Sequence, residues 1–401
     1  MITDNIYTEA RNIQDTIIAH RRWLHAHPGT GFDLQDTNEY ISSALKDMGY
    51  EVRECGKAGL SALVGKPGEK VILLRADMDA LPIREDTGLP YASENGNMHA
   101  CGHDFHAAML LGAAQLLKER EELLSGQVKL MFQPAEEIFE GSKDMIQNGI
   151  LEDPRPDAGM MFHVSSGIPL PAGTVIVSSP GISAPAADYF TIHVQGKACH
   201  GSTPQNGIDP LTAASHILIG LQEILAREIG PSEEAVLTIG SFHGGNAANA
   251  IADCAELEGT IRTYNEEIRA FLKQRMTEIT RSIGTAFRCT AEVTFGHCCP
   301  TLVNNKELSH FVTESLRSVS DGPMVFTTAE LGGGKPQRGG GSEDFAYISQ
   351  EIPTVMLALA SGEPAKGHTY PLHHPKVTFD ESALATGAAV FAHIAMSWLQ
   401  K

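Results

Sequence analysis

Four continuous apolar runs do most to limit what this chain can fold into. They are VILLRADM (71–78), VKLMFQP (128–134), AGMMFHV (158–164) and TVMLALA (354–360). Each has strand length and lacks the polar alternation of a strand with one wet face. Strands of this kind are buried on both faces, as in a parallel sheet with helices packed on either side. The intervening stretches supply helical patterns, such as AAMLLGAAQLL (107–117), SKDMIQNGIL (142–151) and the closing SALATGAAVFAHIAMSWLQK (382–401). Residues 36–48 predict a further helix, with Asp36 and Glu39 as a capping-box pair, an Ile41–Leu45–Met48 stripe and Gly49 as the stop.

Near residue 187 the pattern changes. In YFTIHVQG, Phe190, Ile192 and Val194 alternate with Thr191, His193 and Gln195, a strand with one buried face. A helical pattern (209–228), two strands (235–244 and 255–264), a second helix (266–284) and a strand (290–295) follow. This β-α-β-β-α-β order predicts a ferredoxin-like unit of about one small domain. The simplest organisation is one α/β domain, residues 1–186 and 301–401, with a smaller α+β domain, 187–300, inserted in it.

In open α/β sheets, ligands bind beyond the carboxyl ends of the strands. Asp77 and Asp79 follow the first run, Glu136 and Glu137 follow the second, and the third ends at His163. The cluster HACGHDFHAAM (99–109) precedes a helix. Residues two apart share a face only in extended chain. Cys101 and His103 are therefore expected in the loop, with Asp104 as the N-cap and His106 in the first turn. Taken singly, His99 and His106 read as structural residues and the acidic pair as a solvated turn. Cys101 and His103 read as metal ligands because of their partners on neighbouring crests. A buried Glu pair without a cation would be costly.

The 401 residues carry a formal net charge of -19, which excludes the basic footprint that nucleic-acid binding needs. Seven scattered cysteines have no disulfide-framework spacing and fit reduced thiols in the cytoplasm. The polar start is not a signal-peptide pattern, and no run reads as a membrane span. H-E-x-x-H and G-x-S-x-G motifs are absent. GGGKPQRGGG (332–341) is not a P-loop, since Pro336 stands where Ser or Thr is required; it reads as a surface loop.

RRWLHAHPGTGFDLQDT, LRADMDALPI, HACGHDFHAAMLLGAA, FQPAEE, HGSTPQNGIDP, GGNAANAIADCAELEGTIR, GGSEDFAY and LHHPKVTFDE occur in this order along nearly the whole chain. In these motifs the chain resembles the M20 metallopeptidases and amidohydrolases, in the branch of N-acyl-amino-acid, hippurate and indole-acetyl-amino-acid hydrolases. The resemblance implies a zinc-exopeptidase-like α/β domain, with a mixed sheet and helices on both faces, and an inserted lid and dimerisation domain. It implies Cys101, His103, Glu137, His163 and His373 as ligands of two divalent ions, Zn or Mn, with Co or Ni also compatible. Glu136 would be the general base and Asp79 a carboxylate just behind the metal site. His200 would help bind the carbonyl oxygen across a dimer, and Asn249 and Arg262 would hold the substrate carboxylate. Ala252 replaces the family's usual proline after N-x-I. The implied reaction is hydrolysis of an N-acyl amino acid by metal-activated water, with dipeptidase or carboxypeptidase action as the alternative. The implied partners are a small-molecule substrate and a second copy of the chain, with no nucleic acid and no membrane.

Overall fold

A computed structural model describes Thr3, residues 5–335 and residues 338–401. The readings of the polar start and of the loop at 332–341 therefore fall partly on residues outside the described ones, Pro336 among them. The chain divides into two compact units. The larger comprises Met1–Ser183, Val303–Arg338 and Asp344–Lys401, and the smaller comprises Ala184–Leu302 and Gly339–Glu343.

The larger unit is built on an eight-stranded mixed sheet. Its order is Val52–Cys55, Gly59–Gly65, Gln127–Gln133, Val71–Asp77, Ala158–Ser165, Thr354–Ala360, Val175–Val177, Val325–Thr327. The four central strands are the four apolar runs, and they pair in parallel. Every residue of Val71–Asp77 is buried, Arg75 and Asp77 included. The pairs at either side of this centre turn antiparallel, which makes the sheet mixed.

The helix His103–Lys118 is buried except at Gln115 and Lys118. It packs against the helices Gln14–Ala26 and Leu384–Leu399. The segment Glu381–Leu399 is long and apolar enough to cross a membrane, contrary to the sequence reading. However, 78% of its apolar window is buried within the molecule, so its apolar character is met by this core. The predicted helix at 36–48 runs Gln35–Asp47 with Ile41 and Leu45 buried, but no side chain caps it. The expected capping box does not form, because the helix starts ahead of Asp36 and leaves it inside the first turn.

The smaller unit has a four-stranded antiparallel sheet in the order Ala235–Gly244, Cys254–Thr263, Ala186–Gln195, Thr290–Cys299. With the helices Pro210–Glu223 and Glu266–Ala286, this is the strand order of a ferredoxin-like unit. Asp209 caps the first helix, accepting from the backbone N–H groups of Leu211 and Thr212. Asn265 caps the second in the same way. Phe190, Ile192 and Val194 are buried with Leu257 and Ile261 under these helices. Gly339–Glu343 joins this unit, although the sequence reading gave it to the larger domain. Side chains hold it there: Arg262 Nη1 donates to Ser342 Oγ (2.9 Å) and Tyr264 Oη to the Gly339 carbonyl (2.6 Å).

Candidate metal centre

The carboxyl ends of the central parallel strands bring most of the predicted metal-site residues together. Gly102, at φ 85°, is the N-cap of the buried helix, and His103 is its first residue. This corrects the expected start, since Asp104 lies inside the helix and does not cap it. Asp104 is instead fully buried and accepts from Arg21 Nε and His25 Nδ1, each at 2.8 Å. The glycine is required at 102 because a Cβ there would sit 2.3 Å from Val164 Cγ2, on a backbone that L side chains rarely adopt. It turns the chain so that Cys101 and His103 approach the same point.

Five side chains form a chain of close donors. Cys101 Sγ lies 3.5 Å from His163 Nε2 and 3.3 Å from His373 Nε2. Glu137 Oε1 lies 3.7 Å from His373 Nε2 and 3.8 Å from His103 Nε2. Two triads, Cys101–His103–His163 and Cys101–Glu137–His373, have donor atoms all within 4.8 Å of one another and share the thiol. A third triad joins His103 to Glu136 and Glu137.

Hydrogen bonds fix how these groups present. His163 Nδ1–H donates to the Val164 carbonyl (2.8 Å), which leaves Nε2 as a lone pair facing Cys101. His106 Nε2 accepts from the Val164 N–H (2.8 Å), so its Nδ1–H donates to Asp77 Oδ1 (2.5 Å). His106 thus braces the site and is not free to ligate, as the sequence reading supposed. Asp79, fully buried, accepts from the backbone N–H groups of Glu136 (3.0 Å) and Glu137 (3.2 Å). Left-handed backbone at Ala135 (φ 53°) and Phe139 (φ 56°) brackets the same pair. Non-glycine residues in that region store strain that neighbouring structure must hold, a common feature of functional turns.

Sequence reasoning missed the support beneath this turn. Arg75 Nη1 donates to Asp77 Oδ2 (2.6 Å) and Nη2 to Asp344 Oδ1 (3.1 Å), while Gln133 Nε2 donates to the same Asp344 oxygen (2.6 Å). The signal available was a lone Arg inside an apolar strand, which needs a buried anion.

The electrostatics call for a cation. Burial, reinforced by Asp79 and Asp77 and opposed by His103, pushes the Glu137 carboxyl up to about 7. Burial also pushes the Cys101 thiol far up despite nearby His103. His163 and His106 are each driven down to about 4 by burial, so both are neutral imidazoles. His103 goes the other way: burial opposes its charged form, but Asp77, Cys101 and Asp79 raise it well above the usual range. His103 Nε2 and Glu137 Oε1 are buried and have no hydrogen-bond partner among the described residues. A divalent ion reverses the push on thiol and carboxyl and satisfies such lone pairs, so these residues fit one. The mix of thiolate, imidazole and carboxylate suits a borderline ion.

The model of peptidase family M20/M25/M40 matches residues 73–397. The chain belongs to that family. As a member it is a metal-dependent amidohydrolase. The M20 chain is 37% identical to the N-acetyl-L-cysteine deacetylase of Bacillus subtilis, over 93% of its own length and 85% of that protein's. It is also 37% identical, end to end in both proteins, to thermostable carboxypeptidase 1 of Saccharolobus solfataricus. A solved structure of a dinuclear metal binding M20 peptidase from B. subtilis superposes with a TM-score of 0.79, at 32% identity, covering 97% of this chain and 99% of that one.

The remaining predicted residues lie in the smaller unit. His200 and Ala250 are cross-strand partners in a short two-stranded ribbon, which places Asn249 beside His200. Both are exposed. His200 Nδ1 is held 2.7 Å from Ser202 Oγ. Arg262 lies on the four-stranded sheet; its neighbour Ile261 is fully buried while Arg262 itself is half-buried, as strand alternation requires.

Proposed function

We propose that this chain hydrolyses the amide bond of N-acyl amino acids, releasing a carboxylic acid and a free amino acid. The observation that carries the proposal is the Glu136–Glu137 turn, which sets two adjacent carboxylates beside the histidine and thiol donors, Glu137 grouped with Cys101 and His373 and both glutamates with His103. In this reading Cys101, His103, Glu137, His163 and His373 would hold two divalent ions, and the chemistry such ions would supply is Lewis-acid polarisation of the amide carbonyl and a lowered pKa for water. Glu136 is the general base. It takes the proton of the attacking water and returns it to the leaving amine, so one carboxylate serves both halves of the reaction. Its Oε1 faces the Asp344 N–H at 3.4 Å, a contact that orients the carboxylate without neutralising it. Asp79 acts behind the ligands by fixing the turn that carries both glutamates.

The smaller unit is, in this proposal, a lid and dimerisation domain. His200 binds the carbonyl oxygen, and Asn249 and Arg262 receive the carboxylate of the amino acid. A chain with net charge -19 needs such a local cation to hold an anionic substrate, and arginine offers a two-pronged fork for carboxylate. A cytoplasmic location is part of this proposal, since the seven scattered cysteines lack a disulfide-framework spacing. The similarity to a carboxypeptidase supports a second reading, cleavage of short peptides by the same groups. A screen of acetyl, benzoyl and indole-acetyl amino acids against dipeptides, with Zn, Mn, Co or Ni restored to chelated protein, separates the two. Turnover of peptides alone would overturn the first reading.

A further inference from the structure

We propose that Arg21 and His25 are positioning residues for the turn that carries Cys101 and His103. They lie one turn apart on the helix Gln14–Ala26, and each joins the same two segments. His25 Nδ1 faces Asp104 Oδ2 at 2.8 Å and its Nε2 faces Glu85 Oε1 at 3.1 Å. Arg21 Nε donates to that same Asp104 oxygen at 2.8 Å, and its Nη1 donates to Tyr91 Oη at 2.7 Å. Asp104 follows His103 directly. Glu85 and Tyr91 belong to the loop that leads into Cys101, and Glu85 Oε2 closes that loop by accepting from the Ser93 N–H (2.8 Å). The loop is pinned at its base, where Leu81 and Met98 exchange backbone hydrogen bonds of 3.1 and 2.9 Å.

The Cys101–Gly102–His103 turn is therefore fastened on both sides to one helix. The fastening reaches further, because the Ala100 carbonyl accepts from the His373 N–H at 2.9 Å. Three of the five proposed ligands depend on it.

A plain core ion cluster is the alternative, and its energetics argue against it. Arg21, His25 and Asp104 are each at most 1% exposed. Buried ion pairs contribute little net stability compared with apolar packing, since desolvation offsets most of their attraction. What such a cluster supplies is fixed geometry, and the geometry fixed here is that of the ligand turn.

This inference rests on Cys101 and His103 holding metal. The test titrates chelated wild-type, His25→Gln and Glu85→Gln proteins with Zn or Mn, and records the melting temperature of the metal-free and metal-loaded forms. Loss of groups that orient ligands typically weakens metal binding by about 10–100-fold. Positioning predicts that loss in both variants, together with a smaller rise in melting temperature on adding metal. Glu85→Gln keeps the side-chain volume and leaves the Arg21 and His25 contacts to Asp104 in place, so it decides the matter if His25→Gln does not fold. Lower melting of both forms by equal amounts, with metal affinity within twofold of wild type, would overturn the proposal. Wild-type protein that binds no metal would overturn both this proposal and the functional reading.

Discussion

Asp79→Asn isolates the brace behind the two glutamates. The carboxylate receives two backbone N–H groups on separate oxygens, at 3.0 and 3.2 Å, inside a fully buried site. The amide that replaces it has one accepting oxygen, and its NH2 group must face the other N–H. One bond to a charged acceptor is lost and one buried donor is left unsatisfied. Hydrogen bonds to charged groups contribute about 1.5–3 kcal/mol each. At about 1.4 kcal/mol per tenfold, that loss weakens the correctly held turn by about 10–150-fold. His103 loses support too, since its Nδ1 stands 3.4 Å from Asp79 Oδ1. Metal affinity and kcat/KM on an N-acyl amino acid should both fall within that range, while the metal-free protein still melts cooperatively. Values within twofold of wild type for both would refute the claim that Asp79 holds the glutamate turn.

Cys101→Ala should lower metal occupancy, measured by metal analysis, because it removes the donor shared by two triads. Full occupancy with no turnover would favour a thiol nucleophile. Gly102→Ala places a Cβ 2.3 Å from Val164 Cγ2 on left-handed backbone, so metal affinity and thermal stability should drop together. Arg262→Ala should raise KM for free-acid substrates by about 10–150-fold, the loss of one charge-assisted hydrogen bond. Substrates whose carboxylate is capped as an amide should change little, and equal losses on both would mean that Arg262 serves the fold through its bond to Ser342.

The central sheet was legible because burial on both faces leaves a plain mark, an apolar run without alternation. The crest residues Asp77, Asp79, Glu136, Glu137 and His163 followed from that placement alone. Other features escaped because they depend on partners distant in sequence. Asp104 has the composition of an N-cap, but Arg21 and His25, about eighty residues away, draw it into the core. The box of Asp36 and Glu39 failed because spacing does not fix which residue starts a helix. The 339–343 segment could not be assigned from its glycines, because side chains distant in sequence, Arg262, Tyr264 and Cys299 among them, bond to it. The roles proposed for His200, Asn249 and Arg262 rest on family resemblance, since an exposed ribbon and a half-buried strand carry no chemical signature of their own.

Glu136→Gln tests the account most directly. The substitution keeps size and hydrogen-bonding capacity but removes the base, and it leaves all five proposed ligands in place. Metal content should stay near the wild-type value while kcat on an N-acyl amino acid falls by about 10²–10⁴-fold. A metal-loaded Glu136→Gln protein that keeps near-full turnover would contradict the account.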